Sequence, residues 1–290
     1  MPPQHVLGVQ NELGEGILWD PRHQCLWWTD IPRCRLHRYD WSGGSVEVFE
    51  TPERLASFGL VAGSDRLIAA FASGVALYSP HTGAIDWLAR PPEAGAGVRF
   101  NDGRVDRAGR FWTGTMVEDG RDSADAHLYS IGAGAGLRRH LSGLRISNSL
   151  CTSPDGSLLY FADSPTRTIR AFALAEPAGD LGADRIFATT PQGSDPDGAT
   201  VDREGCLWSA HWGGGCVTRY TPGGSVERVL RVPASQPSCA CLAGPALDVL
   251  CVTSARADLD AGTLRDEPHA GDVFFYQVGV QGLPEAEFRP

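Results

Sequence analysis

The chain has 290 residues, a formal net charge of −10 and no lysine, all 25 basic residues being arginine. The acidic balance argues against a nucleic-acid partner, which needs a basic footprint, and the missing lysine excludes Schiff-base and P-loop lysine chemistry. No apolar run approaches the roughly 18 residues a membrane helix needs, and the first residues lack the charged and apolar regions of a signal peptide, so a cytoplasmic location with no membrane partner is expected.

Thirty-five glycines and 20 prolines exceed their usual shares and, with eight tryptophans, point to short strands and tight turns. Residues 6–9 read as an isolated strand. Six units then follow with a period of roughly 40–50 residues: 14–49, 58–88, 99–141, 146–187, 196–230 and 239–276. Each holds about four strand patterns separated by Gly, Asp or Pro turns, such as Ser153-Pro-Asp-Gly156 and Thr221-Pro-Gly-Gly224. Such units repeated around an axis predict an all-β, six-bladed β-propeller with four-stranded antiparallel blades around a central channel, one domain over 1–290. The strand at 6–9 is expected to pair with the last unit and close the ring, which removes exposed sheet edges. A pair of β-sandwiches is the other arrangement, but it does not explain a register shared between repeats. The one helical stretch is 258–266.

Four units carry a polar residue five positions ahead of a turn: Glu15 before Asp20, Asn101 before Asp106, Asn148 before Ser153 and Asp197 before Asp202. Equal register in equal blades predicts that they converge at one mouth of the channel, where carboxylate and amide oxygens form a hard-donor metal site. Arg99 shares a strand face with Asn101, because side chains alternate. The following strands carry Trp28, Trp112, Phe161 and Trp208, and the three tryptophans are expected in the blade cores. The acidic residues within turns, Asp20, Asp106, Asp155 and Asp202, are expected to bond turn backbone. The tripeptide Pro-Asp-Gly occurs at 154–156 and at 196–198, and only the second places its Asp at the channel register.

Eight cysteines without a secretory signal are expected to be free thiols. Cys239 and Cys241 are expected on opposite strand faces, against chelation. His211, beside Trp212, either faces the channel in the fifth blade or packs within it. No Gly-x-Ser-x-Gly elbow is present, which argues against a Ser-His-Asp hydrolase.

These motifs resemble the regucalcin (senescence marker protein)/gluconolactonase family. The resemblance runs along almost the whole chain and rests on Leu13-Gly-Glu-Gly16, Arg99-Phe-Asn-Asp-Gly103 with Gly114-Thr-Met116, Ile146-Ser-Asn148 with Ser153-Pro-Asp-Gly156, and Pro196-Asp-Gly198. It implies metal ligands at Glu15, Asn148 and Asp197, a substrate-binding pair at Arg99 and Asn101, and a further acidic substrate contact at Asp119, with Glu118 beside it. The family often has Gly where this chain has Ser149, and Pro where it has Ile17. Phe161-Ala-Asp-Ser-Pro-Thr-Arg167 and Val252-Thr-Ser-Ala-Arg256 are similar to the bacterial sugar-acid lactonase branch.

The resemblance implies metal-dependent hydrolysis of a sugar lactone to the open aldonic acid. One divalent ion (Ca, Zn, Mn, Mg or Fe) would act as Lewis acid and Asp197 as general base. The rival readings are a metal-dependent aryl-ester or organophosphate hydrolase, a calcium-binding regulatory propeller without turnover, and a plain scaffold. A polar channel with Arg99 and Asn101 favours a polyhydroxylated substrate, and a scaffold needs no channel carboxylates.

Overall fold

The computed structural model describes residues 1–95, 97–118, 123–176 and 178–290. Six four-stranded antiparallel sheets form a six-bladed β-propeller. The innermost strands are Gly14–Asp20, Leu55–Leu60, Val98–Val105, Ser147–Thr152, Asp195–Val201 and Pro237–Ala243, and each packs against the innermost strands of its neighbours. The sixth blade is completed by the N-terminal strand His5–Leu7, which pairs with Val273–Gln277. The closure expected of residues 6–9 is therefore present, but the strand starts one residue earlier and ends two residues earlier than expected.

Apolar clusters fill the space between neighbouring blades. Leu18 and Trp27 of the first blade pack with Leu60 and Tyr78 of the second, and Trp208 of the fifth packs with Leu250 and Phe274 of the sixth. Trp28, Trp112 and Trp208 are at most 1 % exposed, so all three are core. Fully burying a large apolar side chain contributes about 1.5–3 kcal/mol. Turn aspartates secure two of these indoles, Trp112 and Trp208, to the loops, while Trp28 Nε1 donates to Asn11 Oδ1. Asp106 accepts from Ala108 N, Arg110 N and Trp112 Nε1, and Asp202 repeats the pattern with Glu204 N, Cys206 N and Trp208 Nε1. Asp20 and Asp155 likewise accept from Arg22 N and Ser157 N.

All eight cysteines are free. Cys239 and Cys241 share one apolar cluster with Cys251, which corrects the expectation of opposite faces: residues two apart on a strand point the same way. The helix is shorter than the stretch 258–266. It spans Ala261–Asp266, with the Asp260 side chain accepting from Thr263 N at 2.8 Å. Asp258 precedes it with φ +60°, a left-handed conformation that separates it from the helix. No helix among the described residues is long and apolar enough to cross a membrane.

The C-terminal segment crosses the channel end where the innermost strands finish. Gly282 N bonds Leu247 O in the sixth blade, Phe288 exchanges main-chain bonds with Leu60 and Ala62 in the second, and Arg289 N bonds Gly109 O in the third. Glu285 reaches into the channel and pairs with Arg104 at 2.6 Å, and Arg104 also donates to Ala199 O at 3.1 Å. Burial works against the Arg104 charge, but Glu285, with lesser help from Asp102, holds the guanidinium above its ordinary range.

Candidate metal and substrate site

At the opposite end of the channel, Glu15, Arg99, Asn101, Asn148 and Asp197 line one cleft of about 360 Å³. Five sequence-selected residues from four blades therefore meet. They do so through a distortion that strand alternation alone does not provide. In each of the four strands the pairing slips by one residue: between Glu15 and Leu18, Phe100 and Gly103, Asn148 and Cys151, and Pro196 and Ala199. Such bulges bend a strand and re-aim its side chains.

The four polar residues do not occupy one ladder position, as equal register predicted. Glu15 and Asn148 are the last paired residues before the bulge, whereas Asn101 and Asp197 are the first residues within it. The turns that set the count start at different ladder rungs, which hid the offset. After Glu15 and Asn148 the backbone turns left-handed, at Gly16 (φ +61°) and Ser149 (φ +59°). Glycine adopts that conformation freely and serine does so with strain, which explains why glycine suits the position of Ser149. Ser149 Oγ donates to Asp197 O at 2.8 Å, so its hydroxyl ties the strained residue to the next blade.

The amides form a directed chain. Arg99 Nη1 donates to Asn101 Oδ1 at 2.8 Å, Asn101 Nδ2 donates to Asn148 Oδ1 at 3.1 Å and to Ser147 O at 3.0 Å, and Asn148 Nδ2 donates to Ser164 Oγ at 2.8 Å. Arg99 is buried, and Glu118 lies 3.4 Å from its Nε while also pairing with Arg54 at 2.5 Å. Burial pulls the Arg99 guanidinium down to about 10, with Glu118 opposing the fall. Asp119, the expected acidic contact, lies outside the described residues. Its neighbour Glu118 is the carboxylate that meets Arg99.

Among the described residues no side-chain donor bonds either carboxylate. Glu15 accepts from its own Gly16 N at 3.3 Å, and Asp197 from Gly198 N. Burial pushes Glu15 up to about 8, helped by the charge of Asp102. Burial also raises Asp197 well above the carboxylate range, with Glu15 and Asp102 adding to it. Two carboxylates that repel each other and are offset only in part by the Arg99 guanidinium fit a cation. No group of three His, Cys, Asp or Glu side chains forms a metal cage among the described residues. A cation here would therefore draw its third protein donor from the Asn148 amide, and this all-oxygen set suits a hard divalent ion.

Several residues were not anticipated. Asp102, next to Asn101 within the bulge, accepts from Leu150 N of the adjacent blade at 2.8 Å, and its charge bears on both Glu15 and Asp197. Alternation turns it away from the channel on paper, and only the bulge brings it back. Asp195, Trp212, Ala257, Asp258 and Ser164 also line the cleft. His211 is 2 % exposed and packs within its blade: Ser194 Oγ lies 3.1 Å from Nδ1 and Tyr220 OH 3.3 Å from Nε2. Trp212, one residue on, faces the cleft instead, as alternation requires. Gly114 of Gly-Thr-Met serves close packing, since a Cβ there would stand 2.2 Å from the Ser147 Cβ in the next blade.

Comparison with known proteins gives consistent relatives. Residues 13–256 match the SMP-30/Gluconolactonase/LRE-like region. The chain is 40 % identical to an L-arabinolactonase from Azospirillum brasilense over 97 % of this chain and 93 % of that protein. It is 37 % identical to a 6-deoxy-6-sulfogluconolactonase from Pseudomonas putida over 98 % and 97 % of the two. Among solved structures, a calcium-binding protein, regucalcin, from Agrobacterium tumefaciens superposes with a TM-score of 0.94 at 29 % identity, covering 100 % of this chain and 99 % of that one.

Proposed function

The chain belongs to the SMP-30/gluconolactonase/LRE-like family and is a lactonase, and we propose that it hydrolyses a sugar lactone to the open aldonic acid with a divalent cation held by Glu15, Asn148 and Asp197. The observation that carries the reading is the pair of carboxylates, half-buried Glu15 and buried Asp197, with no side-chain donor among the described residues, in a cleft large enough for a five- or six-carbon ring. When bound, the cation supplies positive charge that stabilises the negative charge developing on the lactone carbonyl oxygen.

The chain's own residues supply the rest. Asp197 accepts the proton of the attacking water and returns it to the ring oxygen as the ester bond opens. Arg99 and Asn101 hold the substrate hydroxyls. The guanidinium is fixed by Asn101 and Glu118, so its remaining donors keep one direction. Trp212, Met116 and Ile146 give the cleft an apolar wall for the ring carbons. The lactonase names among the relatives favour this reading over an aryl-ester hydrolase and over a regulator without turnover.

The test is a pH-indicator assay on purified protein with five- and six-carbon aldonolactones, after chelation and after adding back single divalent ions. Metal-restored acid release above the spontaneous rate is the expected result. Tight metal binding with no acid release from any sugar lactone would refute catalysis and favour the regulator.

A further inference from the structure

Resting on that reading, we infer that Ser164 is a positioning residue that sets which atom of the Asn148 amide faces the metal site. Ser164 opens the turn Ser164–Thr166, directly after the second strand of the fourth blade, and is 5 % exposed. Its Oγ lies 2.7 Å from Pro196 O in the fifth blade and 2.8 Å from Asn148 Nδ2.

The argument follows from counting protons. A carbonyl oxygen can only accept, so the single hydroxyl proton of Ser164 is committed to Pro196 O. Toward Asn148 the hydroxyl can therefore only accept, and the group facing it must be the amide NH₂. The amide oxygen is then turned the other way, toward Asn101. The same conclusion is reached from the far end of the chain. Asn101 Nδ2 faces Ser147 O, again acceptor-only, so it is the donor that meets Asn148 Oδ1. The two ends agree, and Asn148 Oδ1 keeps its second lone pair for a cation. A flipped amide would set NH₂ against NH₂ at Asn101 and present donors to the site.

The neighbouring residue adds to the brace. Asp163 Oδ1 accepts from Arg145 N at 3.1 Å and Ile146 N at 2.9 Å, and Ser164 N donates to Ile146 O. Thus Asp163 and Ser164 grip the strand entry at the main chain and its ligand at the side chain. Because Pro196 immediately precedes Asp197, the serine also couples the spacing of Asn148 in one blade to Asp197 in the next.

The test is calorimetric titration of metal-stripped protein with Ca²⁺ and, separately, Mn²⁺. Removing a residue that orients a ligand typically weakens metal binding by about 10–100-fold. Ser164→Ala should weaken it by about 10-fold, the low end because Asn101 still holds the amide oxygen. Ser164→Thr, which keeps the hydroxyl, should recover most of the loss. Melting of the metal-free variants shows that each is folded, and if the Thr variant does not fold, Ser164→Cys takes its place with a partial recovery expected. Unchanged affinity in Ser164→Ala, alongside lost affinity in Asn148→Ala, would overturn the positioning role alone. Absence of binding by the unsubstituted protein would overturn the metal reading and this inference with it.

Discussion

At one mouth of the channel the charges of Glu15, Asp102 and Asp197 bear on one another, held by main-chain donors and offset in part by Arg99 and, at Asp102, by Arg104. At the other, Arg104 is closed against Glu285 at 2.6 Å and against a main-chain carbonyl. The same six innermost strands supply both ends. At the first end like charges are gathered and offset only in part by Arg99, which destabilises the ligand-free fold and creates demand for a cation. At the second, opposite charges are brought together and covered by the C-terminal segment, which serves the fold. The contrast separates residues kept for chemistry from residues kept for structure, and each prediction below tests one side of it.

The largest effect is expected at Asp197. Asp197→Asn should lower lactone turnover by roughly 1,000-fold, as expected for losing a positioned base. Its metal-free form should melt no lower than the unsubstituted protein, because a repelled carboxylate has been removed. Turnover assays paired with calorimetry measure both, and a lowered melting temperature would place Asp197 on the structural side of the contrast. Next comes Glu285→Ala, which leaves Arg104 largely buried without its carboxylate. Losing one partner of such a pair costs about 3 kcal/mol, the low end because Ala199 O still accepts from the guanidinium. Urea unfolding measures that loss, while turnover per folded molecule should hold. A third and smaller effect is the stabilisation by metal. A cation at 100 times its dissociation constant should add about 2.7 kcal/mol, and Glu15→Gln should abolish most of that gain without touching the pairing at Glu285.

How much of this was readable beforehand follows from where side-chain direction obeys simple alternation. The six repeats, the closing strand, the core tryptophans and the turn aspartates Asp106 and Asp202 all obey it, and all were legible. The convergence of Glu15, Arg99, Asn101, Asn148 and Asp197 was legible for a partly mistaken reason. The bulges draw two adjacent ladder positions into one cleft, and counting back from turns merged them. Asp102 was missed because its direction depends on a bulge with no sequence mark besides the left-handed Gly16 and Ser149 in sister strands. Asp195 and Asp258 come from a strand end and a loop, where no period predicts orientation, whereas the alternation that turns Trp212 to the cleft could be used only once His211 was known to pack within the blade. The pairing of Glu285 with Arg104 joins residues far apart in the chain, and the C-terminal segment that carries it has no repeat pattern of its own.

The smallest prediction concerns pH and separates the charged mouth from the blade interior. In metal-free protein Glu15 is raised from 4.5 to about 8 by burial and by the charge of Asp102. A carboxyl raised in this way contributes stability that is fully present below about 4.5 and is lost as pH rises through about 8. Four imidazoles act in the opposite sense, His127 among them. His37, His140 and His211 are each lowered to about 4, in every case chiefly by burial. Their contribution is present above the ordinary histidine value of 6.5 and is lost as pH falls through about 4. The melting temperature of metal-free protein should therefore peak in mildly acidic solution and fall on both sides. Glu15→Gln should reduce the alkaline fall, Asp197 keeping part of it because burial raises it too, and leave the acid side in place, whereas His211→Gln should soften the acid side alone. An alkaline fall unchanged in Glu15→Gln would show that the mouth carries no stored repulsion, and with it the contrast between the two ends of the channel would lose its basis.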